Sequence, residues 1–356
     1  MNELLSLLGW NSHFQETTGT STEHHHVARV IHVTRDRYTI HDGNAEYQGL
    51  LPGKFYHDNL DIPITGDWVI IQPVDGEPMA IIQEVLPRLN TISRKAPGKQ
   101  VREQAMVANI DILFIAQDIN NLNVRSLERY LALAEGNNIK PVILLNKSDL
   151  CQDIKQHLDK IHPSAGHTPV HAVSAHTGSG LDDVTAYLST GTTGMVAGPS
   201  GVGKSSIVNY LLSDTVQEVT PIREQDRRGR HTTTSRQMFF LPGGGLLIDT
   251  PGMRELHLWD DEGIDSAFSD ISDLADNCRF RDCSHVSEPG CAVIQALKEG
   301  VISESRYESY HKLRREMDFL RSRTDMDAFL DRKQKDKELH REIKRIKKTL
   351  PRYRDK

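Results

Sequence analysis

The sequence predicts an α/β protein: a parallel sheet at its centre, a small β-barrel before it and a helical unit after it. Three observations carry this. Short β-prone runs with Asp-Gly turns between them fill residues 27–87. Continuous apolar runs then alternate with stretches of helical spacing from 105 to about 260, and a mostly helical pattern follows. Alternating strands and helices imply a parallel sheet covered on both faces, with ligands at the carboxyl ends of its strands.

The chain has 356 residues, enough for two or three domains. Hydrophobic content of 37% and charged content of 26% are those of an ordinary soluble protein. The net charge of −6 does not by itself point to nucleic acid, although Lys and Arg dominate residues 341–356. Such a tail suits a polyanionic partner, and equally a solvated helix face. Four cysteines do not make a disulfide scaffold. No apolar run approaches the roughly 18 residues of a membrane helix, and Met1-Asn2-Glu3-Leu4 does not open a secretory signal. A cytoplasmic protein without a membrane partner is expected.

In chain order, residues 1–25 are polar and read as a flexible N-terminal tail. Within 26–90, runs at 30–33, 38–40, 68–74 and 79–85 alternate with turns at Asp42-Gly43 and Asp75-Gly76. They predict a small barrel, most naturally OB-type, with an SH3-like barrel also compatible. Residues 91–104 carry Arg94, Lys95, Lys99 and Arg102 and read as a basic linker. The α/β unit, 105–260, has strands at 110–116, 142–145, 170–173, 195–197 and 246–248, with a helix over 124–135. Residues 261–356 are helical, with a long charged stretch from 303 to about 350.

The motifs fall at strand ends. Gly198-Pro199-Ser200-Gly201-Val202-Gly203-Lys204-Ser205 fits G-x-x-x-x-G-K-[ST] between the run 195–197 and a helical stretch, 206–212, that it opens. Glycines let backbone N–H groups wrap phosphates, Lys204 reaches the β- and γ-phosphates, and the Ser205 hydroxyl ligates Mg²⁺. Asn146-Lys147-Ser148-Asp149 has the N-K-x-D form of guanine readers. The Asp149 carboxylate matches the N1–H and N2–H₂ donors of guanine, a pair adenine lacks. Asn146 can donate to N7, and the Lys147 stem can cover the ring. Ser174-Ala175 resembles the S-A element whose backbone N–H meets O6. Downstream, Asp249-Thr250-Pro251-Gly252 forms D-x-x-G: Asp249 for Mg²⁺, the Gly252 N–H for the γ-phosphate. A threonine among 232–234, with Thr233 favoured, is expected to close over Mg²⁺. The base reader precedes the phosphate loop, the reverse of the usual order. A parallel sheet tolerates such a cut and rejoining, so the order implies a circularly permuted P-loop G domain binding GTP and GDP.

Cys278, Cys283, His285 and Cys291 form C-x₄-C-x-H-x₅-C. Three thiolates and one imidazole suit tetrahedral, structural Zn²⁺. With this cluster behind the permuted motifs, residues 27–320 resemble the ribosome small-subunit-dependent GTPase A family of bacterial assembly factors. The resemblance implies an OB barrel, a permuted G domain and a zinc-bound helical domain. It carries nucleotide contacts to 146–149 and 198–206 and zinc ligation to the four residues above. It also implies GTP hydrolysis stimulated by the 30S subunit during late maturation, with contacts to 16S rRNA; a monomer is expected.

Met253 stands directly after D-x-x-G, where many small GTPases place a glutamine that orients the attacking water. His231, beside the threonines, is the candidate for that task, with Lys204 and Thr233 completing the catalytic set. The competing reading is an ATP-dependent P-loop enzyme, such as a small-molecule kinase with an accessory barrel. Asn146 and Asp149 argue against it, because a kinase needs no guanine reader.

Overall fold

A computed structural model describes residues 3–18, 26–34, 37–57, 61–95, 103–213, 236–249 and 262–324. The chain opens with two short helices, α1 (Glu3–Leu7) and α2 (Ser12–Thr17), the second capped by the Asn11 side chain. Five strands and a helical turn follow: β1 (His26–Thr34), β2 (Arg37–His41), β3 (Glu46–Leu50), α3 (Lys54–His57), β4 (Trp68–Pro73) and β5 (Met79–Val85). They pair in the order β1-β2-β3-β5-β4, and β4 pairs back to β1, closing an OB-type barrel. Both Asp-Gly pairs lie in hairpin turns, with Gly43 and Gly76 at positive φ as those turns require. Strand β3, half-buried and interrupted by Gly49, has too little alternation to be read from sequence.

Two sequence expectations are corrected here. Residues 1–25 contain α1 and α2, not only a flexible tail. Leu5, Leu8, Trp10 and Phe14 pack on Val27, Trp68 and Leu86 of the barrel, apolar residues diluted in a polar average. Residues 91–104 are not simply a linker. β6 (Thr91–Lys95) and β7 (Glu103–Ala108) form an antiparallel hairpin, with Ile92 and Val107 buried.

The α/β unit comprises β8 (Ile112–Asp118), α4 (Val124–Gly136), β9 (Lys140–Asn146), α5 (Ile154–Ala165), β10 (Val170–Ala172), α6 (Leu181–Thr185), β11 (Thr193–Ala197), α7 (Lys204–Ser213), β12 (Arg236–Phe240) and β13 (Leu246–Asp249). Its strands lie in the order β10-β9-β8-β11-β13-β12, all parallel except β12. Strand β11, which leads into the phosphate loop, is central, yet the three strands on one side of it, β8, β9 and β10, come before it in the chain. Strand β12 also pairs with β1 of the barrel, through His32 opposite Gln237 and Val33 opposite Arg236. The Thr65 hydroxyl adds a bond to the Arg236 carbonyl at 3.0 Å. The barrel is thereby fastened to the strand that follows the threonine segment.

Among the described residues the remaining elements are α8 (Glu262–Ala267), α9 (Ser269–Ala275), α10 (Ala292–Lys298) and α11 (Glu304–Thr324). They have no core of their own. Ile264, Phe268, Val293, Leu313 and Met317 join one apolar cluster with Leu127 and Leu131 of α4. Three ion pairs seal the seam: Arg125–Glu308, Arg129–Glu316 at 2.5 Å, and the buried Arg306–Glu128 at 2.9 Å. Among the described residues no helix is long and apolar enough to cross a membrane.

Candidate functional site

Residues 198–203 turn from buried β11 into α7, which starts at Lys204. Two glycines fix this turn. At Gly198 (φ +144°) a Cβ would lie 2.3 Å from the Ala116 carbonyl oxygen of β8. At Gly203 (φ +97°) it would lie 2.3 Å from Asn146 Nδ2. Backbone that must approach so closely leaves no room for a side chain. Lys204 Nζ donates to the Gly198 and Pro199 carbonyls at 2.8 and 2.7 Å, which folds the ammonium over the loop. Ser200 and Gly201 are exposed, and Ser205 and Ser206 stand exposed on the first turn of α7.

The 146–149 turn, expected from sequence to read the base, meets this loop directly. Asn146 ends β9 and is 2% exposed. Its Nδ2 donates to the Val202 carbonyl at 2.8 Å, and its Oδ1 accepts the Ala175 N–H at 3.0 Å. One amide thus links the 146, 175 and 202 segments, which the chain delivers in shuffled order. The Ala175 N–H, assigned from sequence to guanine O6, is here engaged by Asn146. The Ser174 hydroxyl donates to Asp149 Oδ1 at 2.5 Å, and the Ser148 N–H donates to the Val173 carbonyl at 3.1 Å. Lys147 has left-handed backbone (φ 67°), and its ammonium pairs with Asp118. Asp118 belongs to no motif, so sequence reading passed over it.

Asp249 ends β13, the parallel neighbour of β11, so it and the phosphate loop share one edge of the sheet. His231, Thr233, Gly252 and Met253 lie outside the described residues.

The four sequence-predicted metal ligands come together. Cys278 Sγ is 3.8 Å from Cys291 Sγ and 3.6 Å from His285 Nδ1, and Cys291 Sγ is 3.5 Å from that nitrogen. All four ligand atoms, Cys283 included, lie within 4.8 Å of one another. Tetrahedral Zn²⁺ with ordinary bond lengths requires about 3.8 Å between sulfurs and about 3.6 Å between sulfur and nitrogen. The donor set therefore fits one structural zinc. Burial raises the Cys278 thiol, but the N–H groups of Ala292 and Val293 with the neighbouring thiols outweigh it and leave it below its ordinary value. Burial lowers the His285 imidazole and pushes Cys283 up to about 11. The Tyr307 hydroxyl bonds the His285 carbonyl at 2.6 Å, tying the cluster to α11.

A phosphate loop on the central strand, a guanine-type reader bonded to it and a sheet entered out of order define a circularly permuted P-loop GTPase. The model of the RsgA GTPase family matches residues 85–259. A Methanosarcina acetivorans protein named small ribosomal subunit biogenesis GTPase RsgA is 45% identical over 290 residues, 80% of this chain and 78% of that one. The chain belongs to the RsgA GTPase family. A Leptospira interrogans protein of the same name is 36% identical across 97% of this chain and 98% of its own. Among solved structures, YjeQ from Thermotoga maritima shares 30% identity with a TM-score of 0.63, covering 82% of this chain and 98% of that one. YloQ, described as a circularly permuted GTPase, shares 25% with a TM-score of 0.61, covering 84% and 96%. A second model, described as 50S ribosome-binding GTPase, matches 193–349 and starts at β11, where an unpermuted G domain begins.

Proposed function

We propose that this protein hydrolyses GTP in the biogenesis of the small ribosomal subunit, binding the 30S particle and being stimulated by it late in maturation. The observation that carries the nucleotide half is the Asn146 bridge between the base-reading turn and the phosphate loop. The names of relatives matching almost the whole chain support the ribosomal half.

In this reading Asn146, Lys147, Ser148 and Asp149, with Ser174 and Ala175, bind guanine. Residues 198–206 hold the phosphates, Lys204 balancing the charge that develops on the γ-phosphoryl group. Mg²⁺, which neutralises charge across the β- and γ-phosphates, would be held by the Ser205 hydroxyl and Asp249. The Gly252 N–H meets the γ-phosphate, Thr233 closes over the site, and His231 orients the attacking water. The barrel, the basic 91–95 strand and the C-terminal tail contact 16S rRNA, mainly its phosphates. The protein acts as a monomer in the cytoplasm.

GTP turnover measured with and without purified 30S particles, with ATP as a control, tests the proposal. Stimulation of GTP hydrolysis alone is the expected result. Equal use of ATP would favour a kinase-like enzyme, and turnover indifferent to the particle would remove the ribosomal role.

A further inference from the structure

The side chains of Asn146, Lys147 and Asp149 in the 146–149 turn are each held by a partner from another element. Asn146 is held by the phosphate loop and Asp149 by Ser174. The partner of Lys147 is Asp118, whose Oδ2 lies 2.6 Å from Nζ. Asp118 is well placed for this task. It ends β8 directly opposite Asn146 in the parallel pairing, and the next residue, Ile119, donates its N–H to the Asn146 carbonyl at 3.0 Å. Its other carboxylate oxygen accepts the Asn120 N–H at 3.0 Å. Held at its backbone and at one oxygen, the carboxylate is a post that offers its second oxygen to Lys147 from a fixed position.

Lys147 is what needs a post. Its backbone is in the left-handed region, which residues with a side chain seldom adopt, and its four-carbon stem is otherwise free to rotate. A free stem must be ordered when a purine stacks on it, and that ordering subtracts from affinity.

We propose that Asp118 is a positioning residue for guanine recognition, holding the Lys147 ammonium so that the methylene stem is set in advance as one wall of the purine slot. The inference rests on the guanine-reading assignment proposed above. Lys147 and Asp118 side chains are 34% and 23% exposed, so the pair adds little to stability, and its effect belongs in nucleotide affinity.

The test is titration of the full-length protein with fluorescent GDP, with ADP as competitor, for wild type, Asp118→Asn, Lys147→Met and the double variant. Lys147→Met keeps a stem and removes its anchor point. Each single variant is expected to weaken GDP about two- to fivefold, as loss of one partly exposed ion pair implies. The double variant should be no weaker than either single one. The loss should fall in KM for GTP and not in kcat. A single variant binding GDP like wild type, or losses that multiply in the double variant, would overturn the role of Asp118. Should Asp118→Asn fail to fold, Asp118→Ser takes its place in the same set of variants, with the same outcomes deciding. If ADP displaces GDP from wild type as well as GDP does, the guanine reading itself fails, whatever the variants show.

Discussion

Asn146 and Val202 stand 56 residues apart in the chain, and the Asn146 side-chain amide donates to the Val202 carbonyl at 2.8 Å. The same amide accepts the Ala175 N–H, so a single buried group sets the spacing between the 146–149 turn, the proposed base reader, and the 198–203 loop. Asn146→Ala leaves both partners without it. GDP and GTP are expected to bind at least about tenfold more weakly, since each stranded buried group costs about 1–3 kcal/mol. Titration with labelled GDP measures this, and near-wild-type affinity would contradict the bridging role.

Gly203→Ala attacks the same contact from the other side. A methyl group 2.3 Å from Asn146 Nδ2, on backbone at φ +97°, forces the loop and the reader apart. Nucleotide binding should be lost while the circular dichroism spectrum stays near that of wild type. Retained binding would show that the loop can relax.

Arg29 is 1% exposed and donates to three carbonyls from separate segments: Leu8, Gly66 at 3.3 Å and Asn109 at 2.9 Å. It staples the N-terminal helices to the barrel and to the entry of the α/β unit. Arg29→Met strands these carbonyls and is expected to cost about 3–5 kcal/mol, read as a lower midpoint in urea. Hydrogen exchange should show residues 3–18 opening first. Unchanged protection there would exclude the staple.

The buried Arg306–Glu128 pair joins α11 to α4, and the Arg306 guanidinium also donates two hydrogen bonds to the Asp270 carboxylate, at 2.7 and 2.9 Å. Arg306→Met leaves Glu128, which is 1% exposed, as an unbalanced buried carboxylate. A loss of about 3–5 kcal/mol follows. Adding Glu128→Gln should recover part of it, because the second change removes the stranded charge. No recovery in chemical denaturation would mean that the pair is not coupled.

Zinc uptake should release protons. The thiolate binds metal, and Cys283, pushed up to about 11, carries its proton at neutral pH. Cys278 and His285 are shifted the other way, towards the deprotonated forms that ligate. Proton competition therefore falls as pH rises, and apparent zinc affinity should climb. Competition against a metal-binding dye at several pH values checks this. Chelation should also destabilise α10 and α11, which share the cluster's core.

The functional motifs were largely legible because their chemistry is local. A phosphate loop needs glycines at fixed offsets, and a zinc site needs four soft ligands within one short segment. The buried strands 110–116 and 142–145 were legible too, since both faces of a parallel sheet are covered and the runs are continuously apolar. Strand β3 and the 91–95 and 103–108 hairpin were not, because their pairing depends on partners that neighbouring residues do not announce. The two N-terminal helices were masked by polar neighbours, and only the barrel surface around Trp68 explains why Trp10 and Phe14 order there.

By itself the sequence determined which motifs this protein has, and in which order: N-K-x-D, G-x-x-x-x-G-K-S, D-x-x-G and Cys₃His. Only the tertiary structure decided which groups touch. It joined Asn146 to Val202, set Asp118 against Lys147, pinned Arg29 between three segments and merged the zinc unit with α4. Those contacts lie far apart along the chain, and spacing in sequence carries no information about distances that the crossing of a sheet creates.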